Sequence, residues 1–146
     1  MKIISHRGNI RGPVPGRENA PSYIDCALGN GYDVEIDVRS INGQLWLGHD
    51  KPQYKITWNW IFHRQHNLWI HCKNVEAAKI CEIFQSFCHT DDPYAYTSNG
   101  KIWLHDINQT FDDKTIIPLL SKKDLEKHSN YIHDCCGVCT DYPALI

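Results

Sequence analysis

Short apolar runs separated by glycine, proline and asparagine set the rhythm of the chain. Lys2–Ser5 predicts a first strand, and residues 8–17, punctuated by Gly and Pro, predict a loop. Tyr23, Ile24, Ala27 and Leu28 then recur at helical spacing. Asn19 or Ser22 can cap that helix, Pro21 suits its first turn, and Gly29 and Gly31 stop it. Asp33–Arg39 alternates Val34, Ile36 and Val38 against Asp33, Glu35 and Asp37, the period of a strand. Asn42-Gly43 is a hairpin turn signal, and Gln44–Leu47 continues as its partner strand.

Further along, Thr57–Gln65 predicts a short helix capped by Thr57, and Leu68–Cys72 a strand. Asn74 caps a predicted helix over Val75–Cys88, with Ala77, Ile80, Cys81, Phe84 and Phe87 on one face. Beyond it the helical spacing fades. Tyr94–Thr97, Lys101–Leu104 and Ile116–Leu119 read as short strands, Ser121–His128 as a capped helix, and Gly137–Thr140 as a last strand. The opening order β-α-β-α-β-α favours a parallel α/β sheet or barrel within one domain spanning 1–146. A full eight-fold barrel needs roughly 176 residues at average element and loop lengths. A barrel of this length has therefore lost or shortened several outer helices, and the second half is where they are missing.

Composition narrows the function classes. Leu, Ile, Val and Phe supply 35 of the 146 residues, which excludes a disordered chain. The net charge is −2 with no basic run, which argues against nucleic acid as a partner. No apolar run approaches the ~18 residues of a membrane span. Met-Lys-Ile-Ile-Ser turns polar too early for a signal peptide, so a cytoplasmic location is expected. Seven cysteines, an odd number, read as reduced thiols, with Cys26, Cys72, Cys81 and Cys88 on apolar faces. Nine histidines are many for this length and call for a chemical role.

Four short segments carry candidate chemistry. Glu35 and Asp37 stand two apart on a strand and so share a face. Two like charges there suit a hard divalent cation with oxygen ligands, or else a solvated acidic edge strand. His6-Arg7-Gly8 follows directly on the first strand, where parallel folds place their sites. Arg7 offers a fork for phosphate and His6 a proton shuttle. Gly48-His49-Asp50 repeats the pattern, with Asp50 able to orient the imidazole. His71 and Lys73 share another strand face; His71 can ligate a metal and Lys73 can neutralise a phosphate oxygen. Each of these has a plain alternative as a surface or packing residue. Separately, His133 and the Cys136-Gly-Val-Cys139 spacing suit a zinc site, although no second such cysteine pair exists.

In order and spacing, these motifs resemble the glycerophosphodiester phosphodiesterase family, within the phospholipase-C-like phosphodiesterases. The matching pieces are His6-Arg7-Gly8, Glu18-Asn19, Glu35-Ile36-Asp37-Val38-Arg39, Asn42-Gly43, His49-Asp50, the Lys73 strand and Thr140-Asp141-Tyr142-Pro143. The likeness is closest over the first fifty residues and extends to 68–74 and 137–143. It implies a compact (β/α) TIM-type barrel with several outer helices missing or shortened. It also implies metal-dependent cleavage of a glycerophosphodiester or a related phospholipid-derived phosphodiester. On that likeness Glu35 and Asp37 hold the cation, His6 and His49 are the acid–base pair, Arg7 and Lys73 grip the phosphate, and Glu18 lines the site. His71 stands where the family has a third carboxylate. The expected cation is magnesium or calcium, with manganese or zinc favoured further by that imidazole.

The expected partner is a small-molecule phosphodiester, with no nucleic acid and no stable membrane insertion. Strand edges left by missing helices favour a homodimer. Two rival readings stand beside the enzyme. One is a catalytically inactive phosphate-binding relative on the same scaffold. The other is a zinc-binding interaction domain built on His133–Cys139.

Overall fold

A computed structural model describes all 146 residues. Ten strands join one mixed sheet. In chain order they are β1 (Lys2–His6), β2 (Asp33–Ile41), β3 (Gln44–Leu47), β4 (Tyr54–Ile56), β5 (Leu68–Cys72), β6 (Ser86–Phe87), β7 (Tyr94–Tyr96), β8 (Ile102–Leu104), β9 (Thr115–Pro118) and β10 (Gly137–Thr140). Four short helices accompany them: α1 (Pro21–Gly29), α2 (Trp58–Phe62), α3 (Val75–Cys81) and α4 (Lys122–His128). The parallel part runs β6-β5-β2-β1-β10-β9-β8. β3 and β4 extend β2 as an antiparallel meander, and β7 pairs antiparallel with β8.

This corrects the expected TIM-type barrel. The sheet curls into a half-barrel, and strands do not alternate with helices around it. The chain between β6 and β9 has no apolar i, i+3, i+4 stripe to bury. It therefore crosses over through turns and the short antiparallel β7–β8 pair. The long helix expected to reach Cys88 ends at Cys81 for a related reason. Phe84 and Phe87 sit three apart and fit a helical face, but Ser86–Phe87 pairs instead with Ile70–His71 of β5. Phe87 then stacks on Trp103 with ring centres 4.4 Å apart. The helix expected over Thr57–Gln65 likewise stops at Phe62 and resumes as a 3₁₀ turn at Gln65–Asn67.

The expected caps form at three helices. Thr57 accepts from Trp60 N–H, Asn74 from Ala77 N–H and Ser121 from Asp124 N–H. At α1 neither candidate caps; Ala20 occupies the cap position without a side-chain bond.

Two cores lie on opposite faces of the curl. On the outer face, Ile24 and Ala27 of α1, Ile61 of α2 and Ala77 and Cys81 of α3 pack on Val34, Ile36, Val38, Leu68 and Ile70. Inside the curl, Ile4, Trp69, Phe87, Trp103, Ile116 and Cys139 form a second cluster. A third, around Leu125 and Ile132, seats α4 against Leu104, Ile117, Leu119 and Val138. Among the cysteines, Cys72, Cys81, Cys135 and Cys139 are buried, whereas Cys26 and Cys88 are exposed rather than core. All seven are free thiols. No helix is long and apolar enough to cross a membrane.

Side-chain alternation turns the inner cluster into a platform. Two residues beyond five of the inner apolar residues, the chain presents a polar group at the C-terminal rim. The steps are Ile4 to His6, Trp69 to His71, Phe87 to His89, Trp103 to His105 and Cys139 to Asp141.

Candidate active site

Strand register brings the site together. His6 of β1 lies beside Glu35 of β2, and Asp37 of β2 lies beside His71 of β5. The inward carboxylates of β2 then differ in how they are satisfied. Asp33, at the start of the strand, accepts from Lys2 Nζ at 2.5 Å, Asn67 Nδ2 at 2.8 Å and Trp69 Nε1 at 3.0 Å. Asp37 is fully buried; its Oδ2 accepts from Asn19 Nδ2 at 2.9 Å, while its own backbone N–H donates to Asn19 Oδ1 at 3.0 Å. Its Oδ1 has no hydrogen bond and faces His71 Nδ1 at 3.3 Å and Lys73 Nζ at 3.9 Å. Glu35 is 3% exposed and its Oε2 has no hydrogen bond either. The nearest cationic candidates to Glu35 are imidazoles, His71 Nδ1 at 3.8 Å and His6 Nε2 at 3.9 Å.

These environments split the two acids. Burial and the neighbouring Asp37 push Glu35 up to about 8. Burial also penalises the Asp37 carboxylate, but His71, Arg7 and Asn19 outweigh it and hold Asp37 well below the usual range. Glu35, Asp37 and His71 offer ligand atoms within 4.8 Å of one another, a group able to hold a metal ion. Two buried carboxylate oxygens without donors are costly, and a cation between them satisfies both.

Around this group the backbone is shaped for approach. Arg7, at φ +54°, aims its Nε to within 2.9 Å of Asp37 Oδ2, while its Nη1 donates to Glu18 Oε2 at 3.3 Å. Gly8 follows at φ +89°, where an added Cβ would stand 2.9 Å from the Tyr23 ring. Asn9 is buried and donates to both Glu18 Oε1 and Asp141 Oδ1. His6 Nδ1 pairs with Asp141 Oδ1 at 2.7 Å, which leaves Nε2 facing the carboxylates. Burial alone would lower His6, but Asp141 and Glu35 raise it above its ordinary value. His71 moves the other way, because burial dominates.

The residues expected in the site are therefore distributed as follows. His6, Arg7, Glu35, His49 and His71 line one cavity of about 210 Å³. His49 sits at its lip, half-exposed, with Nδ1 2.7 Å from the exposed Asp50. Arg39 fixes that lip by donating to the carbonyls of Gly48 and His49. Lys73 approaches Asp37 from beside the cavity, and Glu18 stands behind Arg7.

Sequence reasoning passed over Asn9, Asn19 as a clamp, and the rim histidines His89 and His105. Burial and the imidazoles of His89 and His71 hold His105 down to about 4. The signal for the rim residues is the apolar-x-polar step at each strand end. The proposed zinc cluster does not assemble. His133, Cys136 and Cys139 do not bring their ligand atoms together: both cysteines pack at the interior cluster, and Cys135 packs with the α4 cluster and donates to the Ile132 carbonyl.

Fold and site together define a curled mixed-sheet protein with a buried acid–imidazole centre at the C-terminal rim of its parallel strands. No family model, curated protein or solved structure matches the chain, so the glycerophosphodiester phosphodiesterase resemblance stands on its motifs alone.

Proposed function

We propose that this protein is a divalent-cation-dependent phosphodiesterase acting on a small phosphodiester, a glycerophosphodiester or a related phospholipid-derived compound. The observation that carries the reading is the Glu35 carboxylate. It is buried, without a hydrogen bond, and set beside Asp37 and His71, while Asp33 on the same strand face is fully bonded. A site that leaves one acid unsatisfied next to two further ligands is built for a positive charge. Zinc or manganese suits the mixed oxygen and nitrogen donors better than calcium does.

The surrounding groups fit phosphoryl chemistry. A cation held there would draw charge from a phosphate oxygen and acidify an attacking hydroxyl. Arg7 and Lys73 bring two further positive charges to the same rim, suited to charge developing on phosphorus. Asp141 fixes the His6 ring with Nε2 toward the cavity, the arrangement of an oriented acid–base imidazole. His49, across the lip, is the second proton carrier of the pair.

The test is turnover of a generic aryl phosphodiester with manganese, magnesium or zinc added to metal-free protein. Wild type is expected to hydrolyse it, and His6→Ala to lose on the order of 10²–10⁴ in rate. Glu35→Gln is expected to abolish the dependence on added cation. Binding of the diester without turnover under any cation would instead make the protein a phosphate-binding relative. Equal rates for wild type and His6→Ala would remove His6 from the chemistry.

A further inference from the structure

Three of the seven free cysteines meet on the sheet face behind the candidate site. The register of β6 on β5 pairs Ile70 with Ser86 and His71 with Phe87. Continued by one residue, it sets Cys72 beside Cys88. His71 and Phe87 line the cavity, so alternation turns the cysteine that follows each of them to the outer face. Cys81, at the end of α3, packs on that same face, in the cluster that holds Cys72. The Cys72 thiol is in hydrogen-bonding reach of both Cys81 and Cys88. Strand register and thiol contact thus agree.

The three thiols differ in access. Cys72 and Cys81 are buried, whereas Cys88 is exposed. An oxidant therefore reaches Cys88 first, and Cys72 is placed as its resolving thiol. Paired strands run about 4.8 Å apart, inside the roughly 4.4–6.8 Å between Cα atoms that a disulfide spans. A disulfide also needs its Cβ atoms only about 3.8 Å apart, so closing it draws the two strand ends together. Those ends carry part of the site. Cys72 lies between His71 and Lys73, and Cys88 between Phe87 and His89. The His71 ring stacks on Phe87 with centres 4.9 Å apart. β6 is only two residues long, so its end is the part that yields.

We propose that Cys72 and Cys88 form a reversible disulfide switch behind the site, closed by a peroxide and opened by a dithiol, whose closure displaces the His71 ring from Phe87. In the first step the Cys88 thiolate attacks one peroxide oxygen. An S–O bond forms, the O–O bond breaks, and the departing hydroxide takes up the proton that Cys88 released. In the second step the Cys72 sulfur attacks the Cys88 sulfur. The S–S bond forms, the S–O bond breaks, and the Cys72 proton leaves with that oxygen as water. Two thiols are oxidised and one peroxide is reduced to water. A dithiol reverses the bond by exchange and leaves as its own disulfide. The inference rests on the function proposed above only for its effect on turnover; the bond and the movement of His71 are measurable without it.

The experiment treats the reduced, metal-free protein with stoichiometric hydrogen peroxide. It is read by thiol titration, by peptide mapping under non-reducing conditions, and by the NMR Overhauser contacts between the His71 and Phe87 rings. Wild type is expected to lose two of its seven free thiols, to yield a cross-linked peptide pair carrying Cys72 and Cys88, and to lose the contacts between the two rings. Dithiothreitol is expected to restore all three. Cys88→Ser and Cys72→Ala are expected to form no such bond and to keep the ring contacts, and Cys81→Ala to form it as wild type does. Cys88→Ser, at an exposed position, covers a Cys72 or Cys81 variant that does not fold. In the aryl phosphodiester assay, oxidised wild type is expected to lose on the order of 10² in rate, the effect of a displacement of about 1 Å, with Cys88→Ser unaffected by peroxide. A bond between Cys72 and Cys81 instead, sulfinic acid at Cys88 without a bond, or a Cys72–Cys88 bond that leaves the ring contacts or the rate unchanged would each overturn the proposal. A bond that separates the rings in a protein without turnover in either state would support the switch and sink the phosphodiesterase reading.

Discussion

Replacing Glu35 by glutamine should stabilise the metal-free protein, and the size of the gain follows from the site. The carboxyl is buried and is pushed from 4.5 up to about 8 by burial and Asp37. Between those two values the folded protein keeps a proton that the unfolded chain releases. Stability contributed at this position is therefore lost as pH rises from about 4.5 toward 8. The loss relative to a neutral side chain is about 1 kcal/mol at pH 5 and about 3 kcal/mol at pH 7. For a domain of this length, 3 kcal/mol is roughly 10 °C in Tm. Glutamine has nearly the same volume and no such titration, and Asp37, held low, titrates below the window.

The assay is urea or thermal unfolding of both proteins in chelator at pH 5, 6, 7 and 8. The two curves should differ by about 1 kcal/mol at pH 5 and separate steadily above it, with Glu35→Gln the more stable. Saturating manganese or zinc should narrow or reverse the gap at pH 7. A ligand at 100 times its Kd adds about 2.7 kcal/mol to the protein that binds it, and only wild type has the full ligand set. Parallel stability profiles for the two proteins between pH 5 and 8 would refute the reasoning, because they would mean that the acid is already paired or exposed.

Other outcomes are expected from the same geometry. Asp141→Asn should lower the His6 pKa, since Asp141 opposes the downward pull of burial; ring-nitrogen NMR titration of His6 reads the change directly. Asn19→Ala, which releases both ends of the clamp on Asp37, should weaken cation binding roughly 10- to 100-fold by calorimetry. Gly8→Ala should destabilise by at least roughly 1–3 kcal/mol in urea unfolding, because position 8 lies at φ +89° and the new Cβ meets Tyr23.

Much of the first half of the chain is legible from residue pattern. The alternation over Asp33–Arg39 and the Asn42-Gly43 turn, found at φ +51° and +77°, specify β2 and β3 without ambiguity. Glu35, Asp37 and His71 become neighbours because that alternation and the β5 run fix which faces meet. The stretch from β6 to β9 is less legible because its strands are two to four residues long. So few residues cannot display a period of two. Phe84 and Phe87 imitate a helix stripe until the pairing of β6 with β5 decides the matter. Asn19 looks like a helix cap because its side chain is short and polar, yet a buried carboxylate 18 residues away is the stronger attraction. The bond from Asp141 to His6 spans 135 residues and leaves no local trace at either end.

That long reach has a consequence for how the site is closed. β1 pairs on one side with β2, but its other neighbour, β10, lies about 135 residues further along the chain. The β2–β5 part of the outer core is built from segments close together in sequence, whereas the second edge of the first strand is filled only by residues 137–140. The bond that orients the His6 ring therefore needs both ends of the chain in place, since the Asp141 carboxylate follows directly on β10.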